Sequence, residues 1–331
     1  MLGVALLSFA HVHAEGYARN VQAHPEATIT CIWDDDQARG TAAAARFSVA
    51  YESDLTTVLQ RRDVDAVLIN APTSQHTELL LAACAAGKHI FTEKALTLTT
   101  ADADRVVEAV HNSGIQCMVS LPSRTTPETL YMKQLIDSGA LGKISLMRAR
   151  IGHMAALDQW FHDGSAWFGD AEQAGGGALF DLGCHTVDVM RWLLGPPVSV
   201  IAKMQNFSKA YTIDDNSAVV VEFASGALGI LDSSWVQRSG PNPIEIYGTE
   251  GFVGRGMGAF PSMSVSTTAM QERGYLLPAE LPKALPMPLD QWVAACLHNS
   301  PTSIRVEDGR NLTEMLEGMY IAARTASEYR Y

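Results

Sequence analysis

Across residues 1–120, short and almost uninterrupted apolar runs alternate with amphipathic stretches, a rhythm that leaves the chain few folds to choose from. The runs are "GVALLSF", "ATITCIW", "AVLINAP", "HIFTEK" and "QCMVSL". Strands that are apolar on both faces belong in a parallel sheet covered on both sides, and the stretches between them supply the covering helices. Two of those stretches, "HTELLLAACAAG" and "TTADADRVVEAVHNSG", end in a glycine suited to a helix C-terminus. Right-handed crossovers then give an α/β, doubly wound nucleotide-type (Rossmann) domain over residues 1–120.

At 331 residues the chain exceeds one core, so a second domain is expected over residues 121–331. From about residue 143 the segments "KISLMRARIGH", "VSVIAKMQNFS", "SAVVVEFASG", "ALGILDSSWVQ" and "NPIEIYGTEG" partly alternate and are joined by Gly, Asn and Pro turns. They predict a large, mostly antiparallel sheet in an α+β domain. The helix "LFDLGCHTVDVMRWLLG" precedes most of it, and a helical tail from "MPLDQWVAACLHN" onward is expected to pack back on the first domain.

The first strand runs into "SFAHVH", where a dinucleotide fold carries a glycine-rich turn. Ser8 and Ala10 are small enough for the first two glycine places, while His13 at the third must point outward or shift the helix start. Ser8, Phe9, Ala10, His11, Val12 and His13 are the expected pyrophosphate loop, and protonated His11 or His13 would lend it charge. Asp34 ends the second strand, placed to accept ribose hydroxyls. Asp35 and Asp36 extend an acidic run that repels a 2′-phosphate, which favours NAD over NADP.

Composition removes other classes. A net charge of -12 without a grouped basic cluster excludes a nucleic-acid surface. No run is long enough for a membrane span. The opening residues lack a basic leader region and read as a buried strand. Five cysteines, with no C-x-x-C pair, point to a reducing, cytoplasmic setting. No metal site is expected: His153 and His162 are irregularly spaced, and neighbours Cys184 and His185 cannot aim at one ion from a helix.

Two segments carry a resemblance. "NAPTSQHTELLLAACAAGKHIFTEKALTLT" (70–99) and "GGGALFDLGCHTVDVMRWLLG" (175–195) resemble the signatures of the Gfo/Idh/MocA family of NAD(P)-dependent sugar and cyclitol oxidoreductases. "LIDSGALGKISLMRARIG" (135–152) and "RVEDGRNLTEMLEGMYIAARTA" (305–326) match in style and order, so the resemblance spans essentially the whole chain. It implies hydride transfer between NAD and a secondary alcohol or ketone of a sugar or polyol. It also implies a homodimer or homotetramer, for which the C-terminal sheet is the expected surface. Ala71, Pro72 and Glu93 fall on the cofactor side of the pattern, Arg124 on the substrate side, and His76 is placed to contact either the cofactor or a neighbouring helix. The chain departs from the family in its glycine loop, in Ala95 after Glu-Lys where proline is usual, and in Trp167-Phe168-Gly169-Asp170, which lacks the arginine of W-R-x-D.

Oxidising a secondary alcohol needs a charge for the developing alkoxide and an acceptor for the hydroxyl proton. Lys94 follows a strand whose C-terminal end opens on the cleft, and its ammonium suits the first task. His185 suits the second. Asp181, four residues earlier on the same helical face, either binds a substrate hydroxyl or orients the imidazole, a role Asp188 also fits. The triple glycine upstream admits close approach of a ligand. Trp160, Phe161, Trp167 and Phe168 offer faces for a sugar ring or simply pack a core, and Trp167 is the one assigned to substrate. Two other readings use the same scaffold: an NAD-using glycosidase with transient redox, and a non-catalytic sugar- or nucleotide-sensing protein.

Overall fold

A computed structural model describes residues 1–256, 263–268 and 281–331. The first sheet contains β1 (Leu2–Leu7), β2 (Ala27–Trp33), β3 (Ala50–Glu52), β4 (Ala66–Ile69), β5 (His89–Thr92) and β6 (Cys117–Val119). All six are parallel, in the order β3-β2-β1-β4-β5-β6. Every residue of β1 and β4 is buried, as their unbroken apolar runs require. The order reverses between β1 and β4, and a ligand crevice opens at the carboxyl ends of strands at such a point.

The helices of this half are α1 (Ala14–Ala23), α2 (Gln37–Phe47), α3 (Leu55–Gln60), α4 (Thr73–Ala85) and α5 (Thr100–Ser113). Side-chain caps set three starts: Asp36 accepts from Arg39 N, Asp54 from Thr56 N and Thr57 N, and Thr99 from Asp102 N. Gly87 and Gly114 stop α4 and α5 in the left-handed region, at φ of 66° and 67°. The three-residue β3 escaped the sequence reading because "AYE" is exposed to half-exposed and lies in no apolar run.

After α6 (Pro127–Asp137) come β7 (Ile144–Gly152), the short α7 (Ala171–Ala174), a wide π turn (Leu179–Gly183) and α8 (Cys184–Leu194). Then follow β8 (Pro197–Gln205), β9 (Asn216–Phe223), β10 (Leu228–Ser234), β11 (Ile244–Gly248), β12 (Gly251–Arg255) and β13 (Ser264–Thr267). The tail is α9 (Pro288–His298), α10 (Val306–Thr325) and β14 (Tyr329–Arg330). The second sheet runs β13-β12-β11-β7-β10-β9-β8-β14, antiparallel except for the β7–β10 pair.

In β9, Ser217, Val219, Val221 and Phe223 face the core while Ala218 and Glu222 face out. The core-facing side packs on α8 and α10. The tail returns to the first sheet as expected, with α9 on β1, β5 and β6 and Trp292 against Phe91 at 5.7 Å. Its last residues are a strand paired to β8 rather than more helix.

Candidate active site

β5 ends at Thr92, so Glu93 and Lys94 emerge at the C-terminal edge of the sheet. Lys94 reaches across to the second domain, where its Nζ donates to the Asp181 backbone oxygen at 2.7 Å and to Asp181 Oδ1 at 2.8 Å. Asp181 lies in the π turn, a wide helical turn of the kind frequent at functional sites. Burial acts against the Lys94 ammonium, but the Asp181 carboxylate more than offsets it and Lys94 stays charged, above its ordinary value. Burial likewise opposes ionisation of Asp181, and Lys94 overcomes it and holds the carboxyl below the usual range.

His185 stands one turn further along. Burial lowers its pKa to about 4, with the Lys94 charge pushing the same way, so the imidazole is neutral and free to take a proton near pH 7. Its Nδ1 is buried without a hydrogen-bond partner. Among the described residues neither carboxylate orients it: Asp181 is committed to Lys94, and Asp188 to Arg124.

Several expectations need correction. Arg124 is 3% exposed and all three of its guanidinium nitrogens meet carboxylates, with Nε and one Nη on Asp188 at 2.9 and 2.6 Å and the other Nη on Asp308 at 2.8 Å. It ties α8 to α10 from a buried position. His76 is fully buried, with Nδ1 against Ala95 O at 2.9 Å and Nε2 against Ala71 O at 3.1 Å, so it joins two backbone turns and does not reach a cofactor. Asp34 is 2% exposed and accepts from Phe9 N, Asp36 N and two nitrogens of Arg39, which leaves no site for a ribose hydroxyl. The triple glycine approaches its own chain: a Cβ on Gly177 would lie 1.8 Å from Asp214 O.

The loop after β1 takes the turn that glycine usually permits. Ser8 sits at φ 71°, its hydroxyl accepts from Ala10 N at 3.2 Å, and His11 N bonds Asn70 O at 3.0 Å. His11 is 3% exposed and burial lowers its pKa to about 3, so it brings no charge to a pyrophosphate, contrary to expectation. His13 points outward as expected, its side chain 51% exposed, with Nδ1 2.9 Å from Glu93 Oε1. Val12 is exposed, Phe9 packs on Phe47, and Ala71 is fully buried.

A cleft of about 320 Å³ opens beside this loop, lined by Ala10, Asp35, Asp36, Arg39, Pro72 and Gln75 and roofed by Asp163, Gly164, Ala166, Trp167 and Gln173. Trp167 closes it by donating Nε1 to Ala10 O at 3.0 Å while stacking on Phe168. Asn70, fully buried at the mouth of the switch point, has both amide atoms without partners, as expected of a group that a ligand satisfies. These residues fit a dinucleotide: a turn at the start of α1, an orphaned amide beside it, and an elongated cleft ending in carboxylates.

Asp34, Asp35 and Asp36 against Arg39 leave two negative charges there, a poor place for an added phosphate. Arg39, Gln75 and Asn70 were missed from sequence. An arginine five residues after Asp34 in the first helical turn, and an amide ending an apolar strand, were the available signals.

Beside Lys94 and Asp181 the cavity holds only about 10 Å³, closed by Trp167, Phe168 and Phe180. Phe161 stacks on Phe168 at 4.9 Å and packs on Trp235, so this aromatic cluster is largely core. A wider cleft of about 580 Å³ lies next to it, between Phe161, His162, Asp170 and Tyr211.

Residues 7–121 match the oxidoreductase-family model for an NAD-binding Rossmann fold, and residues 129–253 match the Gfo/Idh/MocA C-terminal domain. The chain is 29% identical over 261 residues to scyllo-inositol 2-dehydrogenase (NAD(+)) of Bacillus subtilis, an alignment covering 76% of this chain and 72% of that one. It is 28% identical over 245 residues to myo-inositol 2-dehydrogenase of Thermotoga maritima, covering 71% and 70%. The crystal structure of GenD2 from gentamicin A biosynthesis in complex with NAD superposes with a TM-score of 0.82 at 27% identity, over 100% of this chain and 96% of that one.

Proposed function

The chain belongs to the Gfo/Idh/MocA family of NAD-binding oxidoreductases, and from that premise we propose that it oxidises a secondary alcohol of a sugar or inositol-like polyol, or reduces the matching ketone. The observation that carries this reading is the Lys94 ammonium fixed by Asp181 at the sheet edge, with the neutral His185 imidazole one turn away. Bound NAD supplies the hydride acceptor. Ala10 and Pro72 line its cleft, Asn70 meets it at the mouth, and Asp35 and Asp36 face the adenosine end in place of Asp34.

Lys94 donates to the alcohol oxygen and stabilises it as the proton leaves. His185 takes that proton. Asp181 holds Lys94 and offers its second oxygen to a neighbouring hydroxyl. A panel of sugars, inositols and their keto forms with NAD and NADP tests the reading. Stoichiometric appearance of NADH is expected; glycoside cleavage with no net NADH would instead favour the glycosidase.

The pH dependence follows from His185. Its folded pKa of about 4 lies below the ordinary 6.5, so the base stays neutral until the pH falls through about 4. In alcohol oxidation, kcat/KM should therefore lack the limb near 6.5 that an unperturbed histidine gives. An acid limb at 6 or above would remove His185 as the base.

The outer face of the second sheet carries Ile201, Val220 and Ile230 in one cross-strand row, with Ile201 53% and Ile230 38% exposed. This row supports self-association through the sheet, as a dimer or tetramer. Light scattering at micromolar concentration should show an oligomer for the native chain and a monomer for Ile230→Asp. Among the described residues no helix is long and apolar enough to cross a membrane. All five cysteines are free thiols, which supports a reducing, cytoplasmic setting.

A further inference from the structure

We propose that His11, His13 and Glu93 form a binding site for a divalent transition-metal ion, of the zinc or cobalt class, at the start of α1. Sequence spacing pointed to no metal ligands because Glu93 is 80 residues from the His-x-His pair. Folding brings the end of β5 beside the loop after β1, and one ligand atom from each of the three residues lies within 4.8 Å of the others.

The geometry is near what coordination needs. His13 Nδ1 is 2.9 Å and His11 Nδ1 3.8 Å from Glu93 Oε1. Two imidazoles and a carboxylate bound at about 2.0–2.2 Å in a tetrahedron stand about 3.3 Å apart, between those values. The donor set of two imidazoles and one carboxylate suits zinc, cobalt or ferrous iron, and three protein ligands leave a position for water or a ligand oxygen.

Charge and burial point the same way. Glu93 is 1% exposed, and its carboxylate bonds the Lys94 backbone N–H at 3.1 Å and the His13 ring. The Lys94 ammonium is bonded to Asp181, whose side chain is 17% exposed, so the buried Glu93 shares its nearest cation with a second carboxylate. A buried carboxylate left without a cation is costly, and a metal ion supplies one. His11 is buried, and the Nδ1 that faces Glu93 accepts from the His13 backbone N–H at 3.2 Å, a bond that the ion would replace.

The proposal rests on no assumption about the substrate, and its test needs no turnover. Chelator-treated full-length protein is titrated with Co²⁺, followed by its visible d–d absorption, and with Zn²⁺, followed by calorimetry. One equivalent of either ion is expected to bind, with a rise in Tm as binding to the folded state requires. Because the His13 ring is half exposed, His13→Ala keeps the fold, and it should weaken binding about 100-fold or more. Glu93→Gln should do the same with an unaltered circular dichroism spectrum. Uptake equally weak in the native chain and His13→Ala, or no stoichiometric uptake at all, would overturn the site and leave a hydrogen-bonded His13–Glu93 pair in its place.

Discussion

Lys94→Met should lower kcat by about 10³-fold while leaving the Kd for NAD within about threefold, since removing one preorganised donor from a developing oxyanion costs 10²–10³ and lost proton-transfer geometry adds to it. Methionine keeps most of the volume of this buried side chain, so the surrounding wall of Phe168, Phe180 and Trp167 is not emptied. The substitution does strand the Asp181 carboxylate, whose partner it removes. A stability loss of up to about 3–5 kcal/mol is therefore expected as well, and alone it would blur the reading. Lys94→Met combined with Asp181→Asn separates the two effects: the paired change removes the stranded charge and should recover most of the stability, yet activity should stay down. Turnover within tenfold of the native enzyme in either variant would mean that Lys94 is a structural cation and that the reaction centre lies elsewhere.

The parts of this site that were legible in the sequence are those where a residue type and its place on a strand or helix decide its role. Lys94 follows a buried strand, and Asp181 and His185 share a helical face; the fold brings the lysine to the aspartate. The misplaced residues failed for one common reason. Asp34, His76 and Arg124 occupy positions that face a cofactor or substrate in principle, but each has its polar atoms taken by a neighbour that spacing does not reveal.

Arg39 claims Asp34 from five residues away, whereas Arg124 meets Asp188 from 64 residues away. The metal-ligand triad is the reverse case, in which two histidines of an altered loop acquire a third partner only once β5 lies beside them. The strands of residues 1–120 that were readable are largely buried apolar runs, whereas β3 is exposed to half-exposed and β12, β13 and β14 carry no sustained apolar run.

The contrast between ligand-facing and self-satisfied residues has its sharpest test at Arg124. Its guanidinium lies between Asp188, 1% exposed, and Asp308 on α10, and stacks over Trp192 at 5.4 Å. Arg124→Ala leaves Asp188 buried and unpaired, so unfolding free energy should fall by about 3–5 kcal/mol. For a chain of this size Tm should drop by roughly 4–7 °C. The folded fraction at low temperature should keep its KM for the alcohol within about threefold, because the Arg124 guanidinium is buried between Asp188 and Asp308. A substrate clamp behaves oppositely, raising KM by about 10²-fold at nearly constant Tm, as loss of a charged hydrogen bond to a ligand does. Replacing the pair by Arg124→Met with Asp188→Leu carries the argument to its end: with no ion left to desolvate, the apolar pair should restore stability to near the native value. Recovery of Tm with unchanged KM identifies the cluster as a brace between α8 and α10, whereas recovery of Tm with a lost KM returns Arg124 to the substrate.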